Sequence, residues 1–123
     1  MDLQSYFNTH EGMGVLATAS CKGDVDAALY AIPHVVDNTT IGLIMRPRLS
    51  YENVLSNPKA TYLFIEKGPG YKGVRLYLKK SGEEKDMDKV NSLRRSHHGG
   101  DEASAVLVYF TVEHTRPLVG DHE

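Results

Sequence analysis

Apolar positions along this chain change their spacing several times, and each change marks an expected element. Over residues 2–10, Leu3, Tyr6 and Phe7 fall on one face of a short helix that Asp2 can cap. Gly12 and Gly14 are expected to break it. Residues 15–19 read as a strand, residues 21–24 as a turn supplied with Gly and Asp, and residues 25–36 as one longer strand made irregular by Pro33. A turn at residues 37–39 leads into a third strand over residues 40–46, giving an antiparallel meander. Residues 50–56 read as a short helix with Ser50 as its N-cap and Pro58 closing the segment. Residues 59–66 form a fourth strand. Residues 71–80 form a fifth, in which Val74, Leu76 and Leu78 alternate with Arg75, Tyr77 and Lys79, so one face meets water. A helix is expected over residues 86–96, with Met87, Val90 and Leu93 inward and Gly99-Gly100 ending it, and a sixth strand over residues 105–112. No pattern emerges from residue 115 onward. The sum is a mostly β protein: a six-stranded antiparallel split β-barrel with short helices.

Composition narrows the function classes. A chain of 123 residues with 41% apolar content is expected to form one domain, residues 1–123, with a real core. Fourteen basic against sixteen acidic residues leave a net charge of −2, which gives no electrostatic footprint for nucleic acid. One cysteine, Cys21, excludes an internal disulfide and suits a reducing compartment. The first residues lack a signal-peptide pattern and no apolar run reaches the length of a membrane span, so a cytoplasmic location is expected.

The segment richest in chemistry is Ile44-Met45-Arg46-Pro47-Arg48-Leu49-Ser50-Tyr51-Glu52-Asn53. A strand ends on two arginines and a helix begins just after them. Free N–H groups at a helix start carry partial positive charge. Guanidinium forks add charge-assisted hydrogen bonds to phosphate oxygens, and a serine hydroxyl can add another. The competing reading makes Arg46 and Arg48 surface charges and Ser50 a cap only.

The runs over residues 27–37, 41–44 and 50–61, including Asn57-Pro58-Lys59-Ala60-Thr61, resemble the pyridoxamine 5'-phosphate oxidase-like family of FMN-binding split barrels. The order of pieces, covering roughly residues 3–113, carries more of the resemblance than any one motif. The resemblance implies FMN at a homodimer interface. It places Arg46, Arg48, Ser50 and Asn53 at the flavin phosphate, and Ala31, Ile32, Pro33, Ile44 and Met45 near the ring. Tyr71 and Lys72 would line the ring's open side. Many members carry a serine followed by a lysine where this chain has Arg48 and Ser50, a departure that reads either as an exchange of cation and hydroxyl or as a different anion geometry or cofactor. The implied activity is transfer of hydride or electrons between a nicotinamide or protein donor and a small acceptor, with Arg75, Lys72, His34 and Tyr109 as candidates to face a substrate. A non-enzymatic flavin carrier or electron shuttle is the alternative. So is a barrel binding a deazaflavin, or one binding haem through His34 or His114.

Other candidates read as structural. Lys67-Gly68-Pro69-Gly70-Tyr71-Lys72-Gly73 lacks the Gly-Lys-Ser/Thr ending of a nucleotide phosphate loop. His97-His98 with Asp101 and Glu102 lacks the spacing of a zinc site, so no metal is expected. Cys21 beside Lys22 has no triad around it, Glu83-Glu84 reads as a solvated turn, and Arg94-Arg95 as a solvated helix face.

Overall fold

The computed structural model describes residues 1–85 and 105–120. The helix expected over residues 86–96 and the residues around it (Arg94, Arg95, His97, His98, Gly99, Gly100, Asp101 and Glu102) lie outside the described residues. The elements are α1 (Leu3–Thr9), β1 (Gly12–Ala19), β2 (Val25–Tyr30), β3 (His34–Asp37), β4 (Thr40–Met45), α2 (Leu49–Ser56), β5 (Lys59–Glu66), β6 (Gly73–Glu84) and β7 (Val106–Pro117). All strand pairs are antiparallel, in the order β2-β1-β5-β6-β7-β4-β3.

That order explains the curvature. β2 and β3 stand at opposite edges of the sheet, yet only Ala31, Ile32 and Pro33 separate them in the chain. Four Cα steps span at most about 14 Å, whereas seven flat strands would put the edges roughly 29 Å apart. The sheet must therefore roll until its edges meet, which makes it a barrel split at that seam. The crossover also corrects the expectation of one long strand over residues 25–36: β2 pairs with β1 and β3 pairs with β4, and Pro33, lacking an N–H, marks the change of partner. This division gives seven strands among the described residues where the sequence pattern suggested six.

A buried tyrosine pins the seam. Tyr62 on β5 is fully buried, and its hydroxyl donates to the Ala31 carbonyl at 2.9 Å. To get there the ring passes over β1 at Gly14, where a Cβ would overlap the hydroxyl and come within 2.7 Å of Cε1. Gly12 and Gly14 thus belong to β1 and do not merely stop α1; Gly14 keeps a passage open.

Inside, alternate residues of each strand build the core: Leu16, Tyr62, Phe64, Leu76, Leu78, Val108 and Phe110 are all essentially inaccessible to water. The alternation expected for Val74, Leu76 and Leu78 is present. α1 closes one end with Leu3 and Phe7, the Phe7 ring meeting Phe64 edge-on at 5.3 Å. Asp2 caps this helix as expected, accepting from the Ser5 N–H at 3.1 Å, and Asn38 accepts the Leu3 N–H at 2.9 Å. The Tyr6 hydroxyl donates to Glu66 at 2.6 Å. Burial, aided by that carboxylate, pushes the Tyr6 phenol well above its ordinary pKa.

Three boundaries depart from the pattern. β6 starts at Gly73 and runs on to Glu84, so Glu83-Glu84 is strand and not a solvated turn. Glu83 accepts from the buried Tyr51 hydroxyl and lies 3.8 Å from the Lys80 ammonium, and its hydrogen bond raises the Tyr51 phenol to about 12. β7 continues to Pro117, past the point where the pattern fades, because Thr115, Arg116 and Pro117 stay in register with β6. α2 starts at Leu49, with Arg48 and not Ser50 at its N-cap.

The outer face of one half of the sheet is apolar. Leu29, Val15 and Leu63 form one cross-strand row on β2, β1 and β5, and Ala27, Ala17 and Thr61 form the next. Met13 pairs with Ile65 beside them. Leu29 is 70% exposed, Val25 82% and Met13 57%.

Candidate functional site

A cleft of about 420 Å³ opens at the seam, lined by Asp26, Ala28, Leu29, Tyr30, Ala31, Ile44, Arg46, Arg48, Leu49 and Ser50. Three elements build it. β2 contributes Asp26, Ala28 and Tyr30, the alternate positions facing away from the exposed Val25, Ala27 and Leu29. β4 contributes Ile44, whose neighbours Leu43 and Met45 point into the core. The turn into α2 contributes the arginines and Ser50, tightened by a hydrogen bond from the Arg48 N–H to the Arg46 carbonyl at 2.7 Å.

The polar groups divide into two sets. Arg46 is half-buried and Arg48 exposed, and neither guanidinium has a hydrogen-bond or ion-pair partner among the described residues. The same cleft also holds a hydroxyl–carboxylate set. The buried Ser50 hydroxyl donates to Asp26 Oδ2 at 3.4 Å, a long hydrogen bond. Tyr30 lies against the same pair: burial raises its phenol, its hydrogen-bond contact with Ser50 works against that rise, and the charge of Asp26 adds to it. The tyrosine is therefore a neutral donor at ordinary pH, and the cleft offers two cations, one carboxylate and two hydroxyls.

The structure brings together Ala31, Ile44, Arg46, Arg48 and Ser50 of the residues picked from the sequence. The other five lie elsewhere. Met45 is wholly buried in the core, Pro33 is buried in the crossover, and Ile32 packs against the core. Asn53 is buried, and its amide donates to the Thr18 hydroxyl at 3.0 Å, so it moors α2 on β1. Lys72 is exposed in the β5–β6 hairpin, where its carbonyl accepts from the Glu66 N–H. Glu66 pairs with Gly12 at one end of β1, whereas Asp26 pairs with Thr18 near the other, roughly 20 Å away along the strand. Lys72 thus stands apart from the cleft of its own chain.

Asp26, Ala28, Leu29, Tyr30 and Leu49 line the cleft without having been picked. The two-residue alternation of β2 was the available signal, since it puts Asp26, Ala28 and Tyr30 on one face. Of the candidates for meeting a substrate, Arg75 is committed to the Pro117 carbonyl at 2.9 Å and to that of Gly120. Tyr109, like Ile44, packs against Ala105 and Leu107. His34 pairs with Gly42 on β4, and His114 lies 5.8 Å from the Tyr77 ring. Cys21 is exposed in its turn. Among the described residues, no three His, Cys, Asp or Glu side chains converge on a metal position, and no helix is long and apolar enough to cross a membrane.

No family model and no curated sequence matches the chain. Solved structures do. An FMN-binding protein from Syntrophomonas wolfei is similar over 97% of this chain and 85% of its own, at 17% identity and a TM-score of 0.77. A protein of the pyridoxinephosphate oxidase family from Clostridium acetobutylicum, related to general stress protein 26, is similar over 93% and 84%, at 14% identity and a TM-score of 0.68. An F420 reductase is similar over 90% and 94%, at 16% identity and a TM-score of 0.66. The chain has the split-barrel fold of these proteins.

Proposed function

We propose that the seam cleft binds a flavin-type cofactor, FMN in the first instance, and that the protein is an oxidoreductase moving hydride or electrons between a nicotinamide or protein donor and a small acceptor, in the cytoplasm. The observation that carries this is the pair of guanidinium groups of Arg46 and Arg48, unpartnered among the described residues, lining a cleft that also offers apolar wall at Ala28, Ala31 and Ile44, in a fold shared with an FMN-binding protein. Its volume lies within the roughly 300–1,000 Å³ typical of small-molecule sites. The donor set fits a phosphorylated flavin: Arg46 and Arg48 hold the phosphate, Ala31 and Ile44 lie along the ring, and the fold leaves the far side open. Ser50 serves less directly than its place in the sequence suggests, because its hydroxyl is engaged with Asp26. The flavin, when bound, supplies the two-electron redox chemistry. The protein binds it, orients it and shields it from water.

A second copy of the chain is proposed to cover the open side. The Leu29–Val15–Leu63 face adjoins the cleft through Leu29, and a contiguous apolar surface of this kind marks an interaction site. Leu29→Asp should turn a dimer into a monomer in light scattering at micromolar concentration and weaken flavin binding with it. A wild-type monomer with flavin bound would contradict the shared site. A deazaflavin in place of FMN is the second reading, favoured by the similarity to an F420 reductase; titration with both cofactors separates the two.

A further inference from the structure

We infer that Asp26 determines the charge preference of the cleft: its carboxylate takes a hydroxyl of the ligand's chain and opposes a doubly charged end group, offsetting part of the attraction of Arg46 and Arg48. The inference rests on the flavin reading and deepens it by naming the residue that discriminates between a phosphorylated ligand and its unphosphorylated parent.

Asp26 is half-buried and faces the cleft between Ser50 and Tyr30, while its neighbours Val25 and Ala27 face solvent. Ser50 Oγ is 3.4 Å from Asp26 Oδ2, and Oδ1 has no hydrogen-bond donor among the described residues. An ionised carboxylate is an acceptor only, with room for several donors. A cleft built solely to hold a phosphate would gain nothing from a carboxylate here, because like charges oppose each other most where water is partly excluded. A polyol chain is different: each hydroxyl can donate to Asp26 and accept from a hydroxyl such as that of Tyr30. The cleft therefore has an end for anions at the arginines and a stretch for hydroxyls at Asp26, Ser50 and Tyr30. Asp26 limits how much the anion end gains from a second negative charge.

The test compares one ratio in one protein. Dissociation constants for FMN and riboflavin are measured by flavin fluorescence for the wild type and for Asp26→Asn, which keeps the shape and removes the charge. FMN binding should tighten about fivefold to tenfold in the variant while riboflavin binding stays level or weakens, so the FMN preference rises. Because both ligands are read on the same preparation, a general loss of folding cancels from the ratio. Asp26→Ser provides a second, smaller replacement and should move the ratio the same way. An unchanged or reduced FMN preference in both variants overturns the role of Asp26 and leaves the flavin reading standing. A wild type that binds neither flavin overturns both.

Discussion

Replacing Arg46 and Arg48 together with alanine should weaken FMN binding about a hundredfold and riboflavin binding only a fewfold. A hydrogen bond to a charged group is worth about 1.5–3 kcal/mol, and loss of two at the lower figure gives about 3 kcal/mol, or roughly two decades of affinity. Riboflavin has no phosphate and so loses only nearby contact. Neither guanidinium has a protein partner among the described residues, so their removal leaves no buried carboxylate or carbonyl unpaired and spares the fold. Fluorescence titration of both ligands against both proteins gives the answer. Equal losses for the two flavins would remove the arginines from the phosphate end and leave Asp26 with nothing to balance.

The second large effect concerns the frame that holds the cleft open. Gly14→Ala should destabilise the protein by about 2–4 kcal/mol, since overpacking costs about 1–3 kcal/mol and displacing Tyr62 loses its hydrogen bond to the Ala31 carbonyl, worth about 0.5–1.5 kcal/mol. Ala31 lines the cleft, so the loss extends from the core to the site. Urea unfolding measures the change. Tyr62→Leu alone is destabilising as well, but combined with Gly14→Ala it should cost clearly less than the sum, because the ring that the new methyl strikes is gone. Strict additivity would show that Gly14 does not serve as the passage for Tyr62.

Much of this arrangement is legible in the chain itself. The alternation in β6 and the β-rich run of β5 follow directly from their side chains, as do the Asp2 cap and the arginine pair ahead of α2. The change of sheet edge at Pro33 is not, because residues 25–36 carry a nearly unbroken β pattern and nothing local tells a chain which strand it will pair with. The role of Asn53 is hidden for a related reason: its partner Thr18 lies 35 positions away, and only the folded barrel brings the two together. Ser50 looks like a cap because serine so often is one, yet the helix begins one residue earlier and its hydroxyl turns to Asp26. Asp26 itself is one of many acidic residues until the roll of the sheet sets it opposite the start of α2.

A phosphorylated flavin held in the seam cleft would give the protein its colour. The direct measurement is the absorbance spectrum of the purified protein, before and after addition of FMN, with mass spectrometry of whatever acid releases. Flavin absorption bands are expected on the protein, as purified or after reconstitution, with a released mass equal to that of FMN. A colourless protein that takes up no added FMN would contradict a flavin in the cleft.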